Sequence, residues 1–137
     1  MIIESLQQEF PIDADRIYAL GSSGGGAGIW NIVSARPDMF AAAIPVCGRF
    51  NPAYAPGLAH LPIWVFHGDA DPLVSVEFSP SAFAALREAG GNIKYTELRG
   101  VEHSSWIQAF TYVGDDESKG NYRCECRNRV RDPMSYL

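Results

Sequence analysis

The segment Arg16-Ile-Tyr-Ala-Leu-Gly-Ser-Ser-Gly-Gly-Gly-Ala-Gly-Ile-Trp-Asn-Ile-Val33 passes from a short apolar run through a glycine-rich turn into a helical pattern. Ile29, Ile32 and Val33 fall on one helical face. Pro37 pushes its predecessor out of the α region, so the helix should end near Arg36. Three more apolar runs follow: Ala41-Ala-Ala-Ile-Pro-Val-Cys-Gly48, Ile63-Trp-Val-Phe-His-Gly68 and Ile93-Lys-Tyr-Thr-Glu-Leu98. A second helix is expected from Ser79, with Ser79 as N-cap, Pro80 at the first helical position and Gly90-Gly91 as the stop. Helical patterns also mark Ile2–Phe10 and Ser104–Val113. Apolar runs alternating with helices predict an α/β domain with a mainly parallel sheet of about four strands flanked by helices. The alternation in Ile93–Leu98 suits a half-exposed edge strand. Pro45 removes a ladder donor and is expected at a strand end or bulge.

The 137 residues are 47% apolar and 20% charged. That length suits one compact domain, and the composition excludes collagen, coiled coil and disorder. The apolar runs fall far short of the ~18 residues that span a bilayer. A net charge of −5 argues against a general nucleic-acid or anionic-membrane binder. Charge divides the chain: residues 1–114 hold six Lys/Arg against eleven Asp/Glu, and residues 115–137 hold five of each. The last stretch also loses hydrophobic periodicity, so the folded domain is expected at 1–113 and a tail at 114–137. Cys47, Cys124 and Cys126 are too few and too unevenly spaced for a disulfide framework. Cys124-Glu-Cys126 lacks the spacing and partners of a zinc site, so no metal is expected. No signal-peptide pattern opens the chain, and a cytoplasmic location is the default expectation.

Gly21-Ser22-Ser23-Gly24-Gly25 fits Gly-x-Ser-x-Gly, between an expected strand and an expected helix. In that setting the turn is tight enough to require the glycines. It holds Ser23 proud of the sheet at the positive end of the helix, with the Gly24 N–H directed at a developing oxyanion. A phosphate-binding loop is excluded because no Lys-Ser/Thr follows the glycines. The dinucleotide fingerprint fails because Ile29 or Asn31 stands where its third glycine belongs.

A serine needs a base oriented by an acid. Of the three histidines, His60 lies in a loop and His67 ends the third run. His103 follows the fourth run and is the expected base. The acid should come from a loop at the C-terminal edge of the sheet, where open α/β sheets place their sites. Asp69 and Asp71 both lie there. Asp71 is preferred because Pro72 stiffens its turn, which leaves Asp69 to brace the loop. The chain order Ser23, Asp71, His103 is the order of α/β-hydrolases.

Asp13-Ala-Asp-Arg-Ile-Tyr-Ala-Leu-Gly-Ser-Ser-Gly-Gly-Gly-Ala-Gly-Ile-Trp30 resembles the nucleophile segment of the esterase and "predicted peptidase" branch of the α/β-hydrolase superfamily. Phe40–Gly48, Pro62–Pro72 and His103-Ser-Ser-Trp106 resemble the same branch. The resemblance covers about residues 2–113. It implies Ser23 as nucleophile, Asp71 as acid, His103 as base, Gly24 as an oxyanion donor, a small-molecule ester substrate and no cofactor.

Gly24 stands where the family usually carries a larger residue, often Met. The resemblance also starts in the middle of the family fold, so a partial, truncated α/β-hydrolase fold is expected. The loop that supplies a second oxyanion N–H falls outside it. The strand before Ser23 would then be a bare sheet edge, favouring a homo-oligomer that buries it. The leading expectation is a carboxylesterase acting on short acyl chains through an acyl-enzyme. The alternative is a weak or inactive half-domain that folds by self-association. A peptidase or thioesterase ranks below both, because amide cleavage demands fuller oxyanion support.

Overall fold

In a computed structural model, residues 2–112 and the backbone of 122–124 are described. The elements run α1 (Ile2–Glu9), β1 (Tyr18–Ser22), α2 (Gly24–Ala35), β2 (Ala42–Val46), β3 (Ile63–Gly68), α3 (Phe78–Glu88), β4 (Ile93–Leu98), α4 (Trp106–Phe110) and β5 (Tyr122–Cys124). Short 3₁₀ segments at Ala14–Arg16, Pro37–Met39 and Pro52–Leu58 join them. The sheet order is β1-β2-β3-β4-β5, with the first four strands parallel and β5 antiparallel to β4. No helix among the described residues is long and apolar enough to cross a membrane.

Side-chain alternation along the strands builds a core on each face of the sheet. Ile63 and Val65 point to one face, where they meet Trp30 and Val33 of α2, Leu86 of α3, and Tyr95. Trp64 and Phe66 point to the other, beneath Trp106 and Ala109 of α4 and Tyr112. Burying large apolar side chains of this kind contributes roughly 1.5–3 kcal/mol each. Beside Trp64, its indole N–H donates to Thr96 Oγ1 at 2.9 Å, which satisfies the polar end of a buried ring. The second face is uncovered at β1, where Tyr18 and Leu20 remain 40% and 52% exposed.

Three details correct the sequence reading. Ile93–Leu98 is not an edge strand: Thr96, Glu97 and Leu98 pair with residues 124, 123 and 122. The stretch 114–137 therefore contributes one short strand beside the domain, and its other residues lie outside the described ones. Ser79 is not a cap. It sits inside α3, fully buried, and Glu77 precedes the helix.

Pro45 stands inside β2 rather than at its end. On the side facing β3, Ala43 N–H donates to Pro62 O at 3.0 Å and Cys47 N–H to Phe66 O at 2.8 Å. The rung between them falls at Pro45, which has no N–H to give. Two sound rungs flank the gap, and the sheet tolerates it.

Candidate active site

The site lies along the C-terminal edge of the parallel strands, and close backbone approaches create it. A Cβ on Gly21 would lie 2.7 Å from the Gly25 carbonyl oxygen, so the turn from β1 into α2 closes only with glycine there. Gly25 itself has open space, so the crowding expected at both motif glycines occurs at one. A Cβ on Gly26 would sit 2.5 Å from Val46 O, and one on Gly48 would sit 2.4 Å from the Gly26 carbonyl carbon. These contacts press the start of α2 against the end of β2. Ser23, at the apex, takes φ 55° and ψ −119°, and Cys47 beside it takes φ 41°. Such backbone angles on residues with a Cβ cost of order 1–3 kcal/mol each and cluster at functional sites.

The other two residues arrive on loops that are fastened together. Asp69 N–H donates to Leu98 O at 3.1 Å and Ala70 N–H to Val101 O at 3.1 Å. Asp69 Oδ1 accepts the Gly100 N–H at 2.7 Å, the bracing role expected of it. The loops after β3 and β4 are thus tied together, and they bring Asp71 to His103. His103 Nδ1 lies 2.8 Å from Asp71 Oδ2, and His103 Nε2 lies 2.7 Å from Ser23 Oγ. An ionised Asp71 can only accept, so Nδ1 carries the proton and Nε2 is free to accept from the serine hydroxyl. The Trp106 ring stands edge-on to the imidazole, 5.7 Å between centroids.

Asp71 has its side chain fully buried. Burial by itself would raise its carboxyl pKa, but hydrogen bonds from Val74 N–H (2.9 Å), His103 and Leu73 N–H (2.8 Å) outweigh that and hold it below the ordinary value. The carboxylate stays charged, as a partner for an imidazole that gains a proton must.

Gly24 opens α2, and its N–H is the first of a helix terminus with no intrahelical acceptor. The Ser23 N–H is already taken by Val46 O at 2.9 Å. His60 faces Asp38 instead, at 3.2 Å, remote from this cluster.

Sequence reasoning missed two residues here. Cys47 is completely buried, and its Sγ donates to the His103 carbonyl at 3.6 Å. Desolvation, reinforced by the nearby Asp71 charge, raises the thiol pKa. Its Sγ and ligand atoms of Asp71 and His103 lie within 4.8 Å of one another. His67, also fully buried, sits against Asp71. Its spacing of four from Asp71 was visible, but only the turn shape shows that the two meet.

The Prolyl oligopeptidase family model matches residues 1–55. Over 120 residues the chain is 30% identical to acyl-protein thioesterase 1 of Neurospora crassa, a match covering 76% of this chain and 46% of that protein. The crystal structure of a thermostable esterase superposes with a TM-score of 0.78 at 36% identity, over 89% of this chain and 35% of that one. Arabidopsis thaliana SOBER1 superposes with a TM-score of 0.65 at 23% identity, over 80% of this chain and 57% of that one, and speaks to the fold alone. The chain thus spans less than two thirds of each of these relatives, and its four parallel strands correspond to part of an α/β-hydrolase sheet. By sequence and by fold, the chain is related to the esterases of the α/β-hydrolase superfamily.

Proposed function

We propose that the chain carries the hydrolytic apparatus of a serine carboxylesterase acting on short-chain esters. The observation that carries this reading is the continuous hydrogen-bonded line from Ser23 Oγ through His103 to Asp71. Ser23 attacks the ester carbonyl carbon as His103 Nε2 takes its proton. Negative charge gathers on the carbonyl oxygen, toward the Gly24 N–H. The tetrahedral intermediate collapses, the C–O bond to the alcohol breaks, and His103 returns the proton to the departing alkoxide. Water then attacks the acyl-enzyme by the same route, releasing the acid and restoring Ser23. Asp71 holds the imidazole in the required tautomer and balances its transient charge.

The commitment of the Ser23 N–H to Val46 O leaves Gly24 as the evident oxyanion donor among the described residues. Losing one such donor typically costs about 10²–10³ in turnover, which favours activated esters over amides. Intact-mass analysis after incubation with a fluorophosphonate probe tests the reading: one adduct on the wild-type chain and none on Ser23→Ala supports it. A well-folded wild-type chain that takes no adduct overturns it.

A second reading, a half-domain held together by self-association, draws on β1, which among the described residues pairs on one side only and leaves Tyr18 and Leu20 exposed. Oligomer without probe labelling is the outcome that would favour it.

A further inference from the structure

His67 is a buried imidazole that the proposed chemistry does not use. Its Nδ1 lies 2.7 Å from Ser79 Oγ, and its Nε2 lies 3.0 Å from Val74 O and 3.3 Å from Asp71 Oδ2. Both neighbours of Nε2 are acceptors only, so Nε2 must carry a proton. Burial lowers the imidazole pKa, although the Val74 carbonyl and Asp71 oppose that. The ring is therefore neutral near neutral pH, and Nδ1 accepts the Ser79 hydroxyl proton. One tautomer alone fits this surround, and Ser79, inside α3, locks it.

We propose that His67 is a positioning residue for the Asp71 carboxylate, its Nε2–H bound to the Val74 carbonyl and standing against Oδ2, so that Oδ2 faces His103. This rests on the reading of Ser23, His103 and Asp71 given above. The geometry divides the work between the two oxygens. Oδ1 is held by the Leu73 and Val74 N–H groups, which would still let the carboxylate pivot about that oxygen. Oδ2 is hydrogen-bonded by His103 at 2.8 Å on one side, and on the other His67 Nε2, whose hydrogen bond goes to Val74 O, stands 3.3 Å from it. Only the second is anchored to the rigid part of the fold, since His67 stands in β3 and its far nitrogen is tied to α3. His67 also grips the carbonyl of Val74, whose N–H binds Oδ1, and so fixes both ends of the turn that presents the acid. The longer approach to Oδ2 is an electrostatic contact beside the hydrogen bond to that carbonyl, which suits an aiming role rather than proton transfer.

The test uses the full chain and three substitutions. His67→Leu removes both ring nitrogens, His67→Gln keeps a donor in the place of Nε2–H, and Ser79→Ala frees the ring from its anchor. For His67→Leu, kcat on an activated ester falls roughly 10- to 100-fold. KM stays within about twofold, because substrate binding is untouched. His67→Gln recovers most of the loss. Proton NMR of the wild type carries a strongly downfield His103 Nδ1–H signal, lost in His67→Leu and retained in His67→Gln.

Wild-type kcat and an unchanged signal in folded His67→Leu overturn the proposal. So does equal damage in His67→Leu and His67→Gln, which marks a packing role. If His67→Leu does not fold, Ser79→Ala decides: lower kcat with a weakened signal supports the proposal, and no change in either overturns it. A wild type that takes no probe and hydrolyses no ester sinks the esterase reading alone. The dependence of the His103 signal on His67 then still decides the positioning role.

Discussion

The backbone N–H of Ser23 donates to the carbonyl of Val46 at 2.9 Å, which ties the proposed nucleophile to the last residue of the neighbouring strand. Gly26 and Gly48, packed against each other, make that approach feasible. The position of Ser23 is thus set by its own turn and by β2 together. A Gly48→Ala substitution forces α2 and the end of β2 apart. Its expected effect is a destabilisation of about 1–3 kcal/mol in urea unfolding, with a fall in ester hydrolysis larger than the unfolded fraction explains. Wild-type stability would show that the backbones have slack.

Ser23→Ala and Ser23→Gly separate chemistry from strain. Both are expected to abolish probe labelling and ester turnover while leaving circular dichroism unchanged. The glycine variant adopts φ 55° without a Cβ penalty and should unfold at higher denaturant, by about 1 kcal/mol relative to alanine. Equal midpoints for the two would argue that the turn is relaxed.

Stability should decline on acidification. His67 has a folded pKa below its unfolded value, so as pH falls below about 6.5 the unfolded chain takes up a proton that the folded chain refuses. Asp71 and His103 are the titratable groups facing it, and Asp71 adds a second loss of the same sign as pH falls past the ordinary carboxylate range. Each group contributes at most about 1.4 kcal/mol per pH unit. Thermal melts from pH 8 to pH 5 should show a slope that His67→Gln flattens. Identical slopes in the two proteins would contradict this account.

The open edge of β1 leads to an expectation about assembly. Tyr18 and Leu20 are exposed on β1, which among the described residues pairs on one side only, with β2, and an edge of this kind favours self-association. Light scattering at micromolar concentration should report a dimer or larger species, and Leu20→Lys should shift it toward monomer. A monodisperse wild-type monomer would remove the basis for this expectation.

The sequence carried the parallel α/β architecture because strand, turn and helix signals coincide: the glycines after Leu20, Pro37 after Arg36, and Gly90-Gly91 after the third helix. Ser23, Asp71 and His103 were legible because each follows an apolar run, the position where this architecture gathers side chains. The errors came where a partner distant in sequence decides. Ser79 has the composition of a cap, but its hydroxyl serves His67 twelve positions away. Ile93–Leu98 alternates like an edge, yet residues 122–124 cover its end. The contact of His67 with Asp71 depends on the fold of a turn, which no periodicity encodes. Pro45 shows the converse, a rule of local chemistry that the surrounding ladder overrides.

Ser23 and His103 are 80 residues apart in the chain, and the parallel strands lie side by side in the order in which they occur. The hydrogen bond between these two residues spans most of the described length, while the pairings beneath it are each between consecutive strands. Contacts of such long range close late and only when the intervening loops have been ordered. The hydrogen bond between Ser23 and His103 is therefore a property of the completed sheet, present only when β1 and the loop after β4 are both in place.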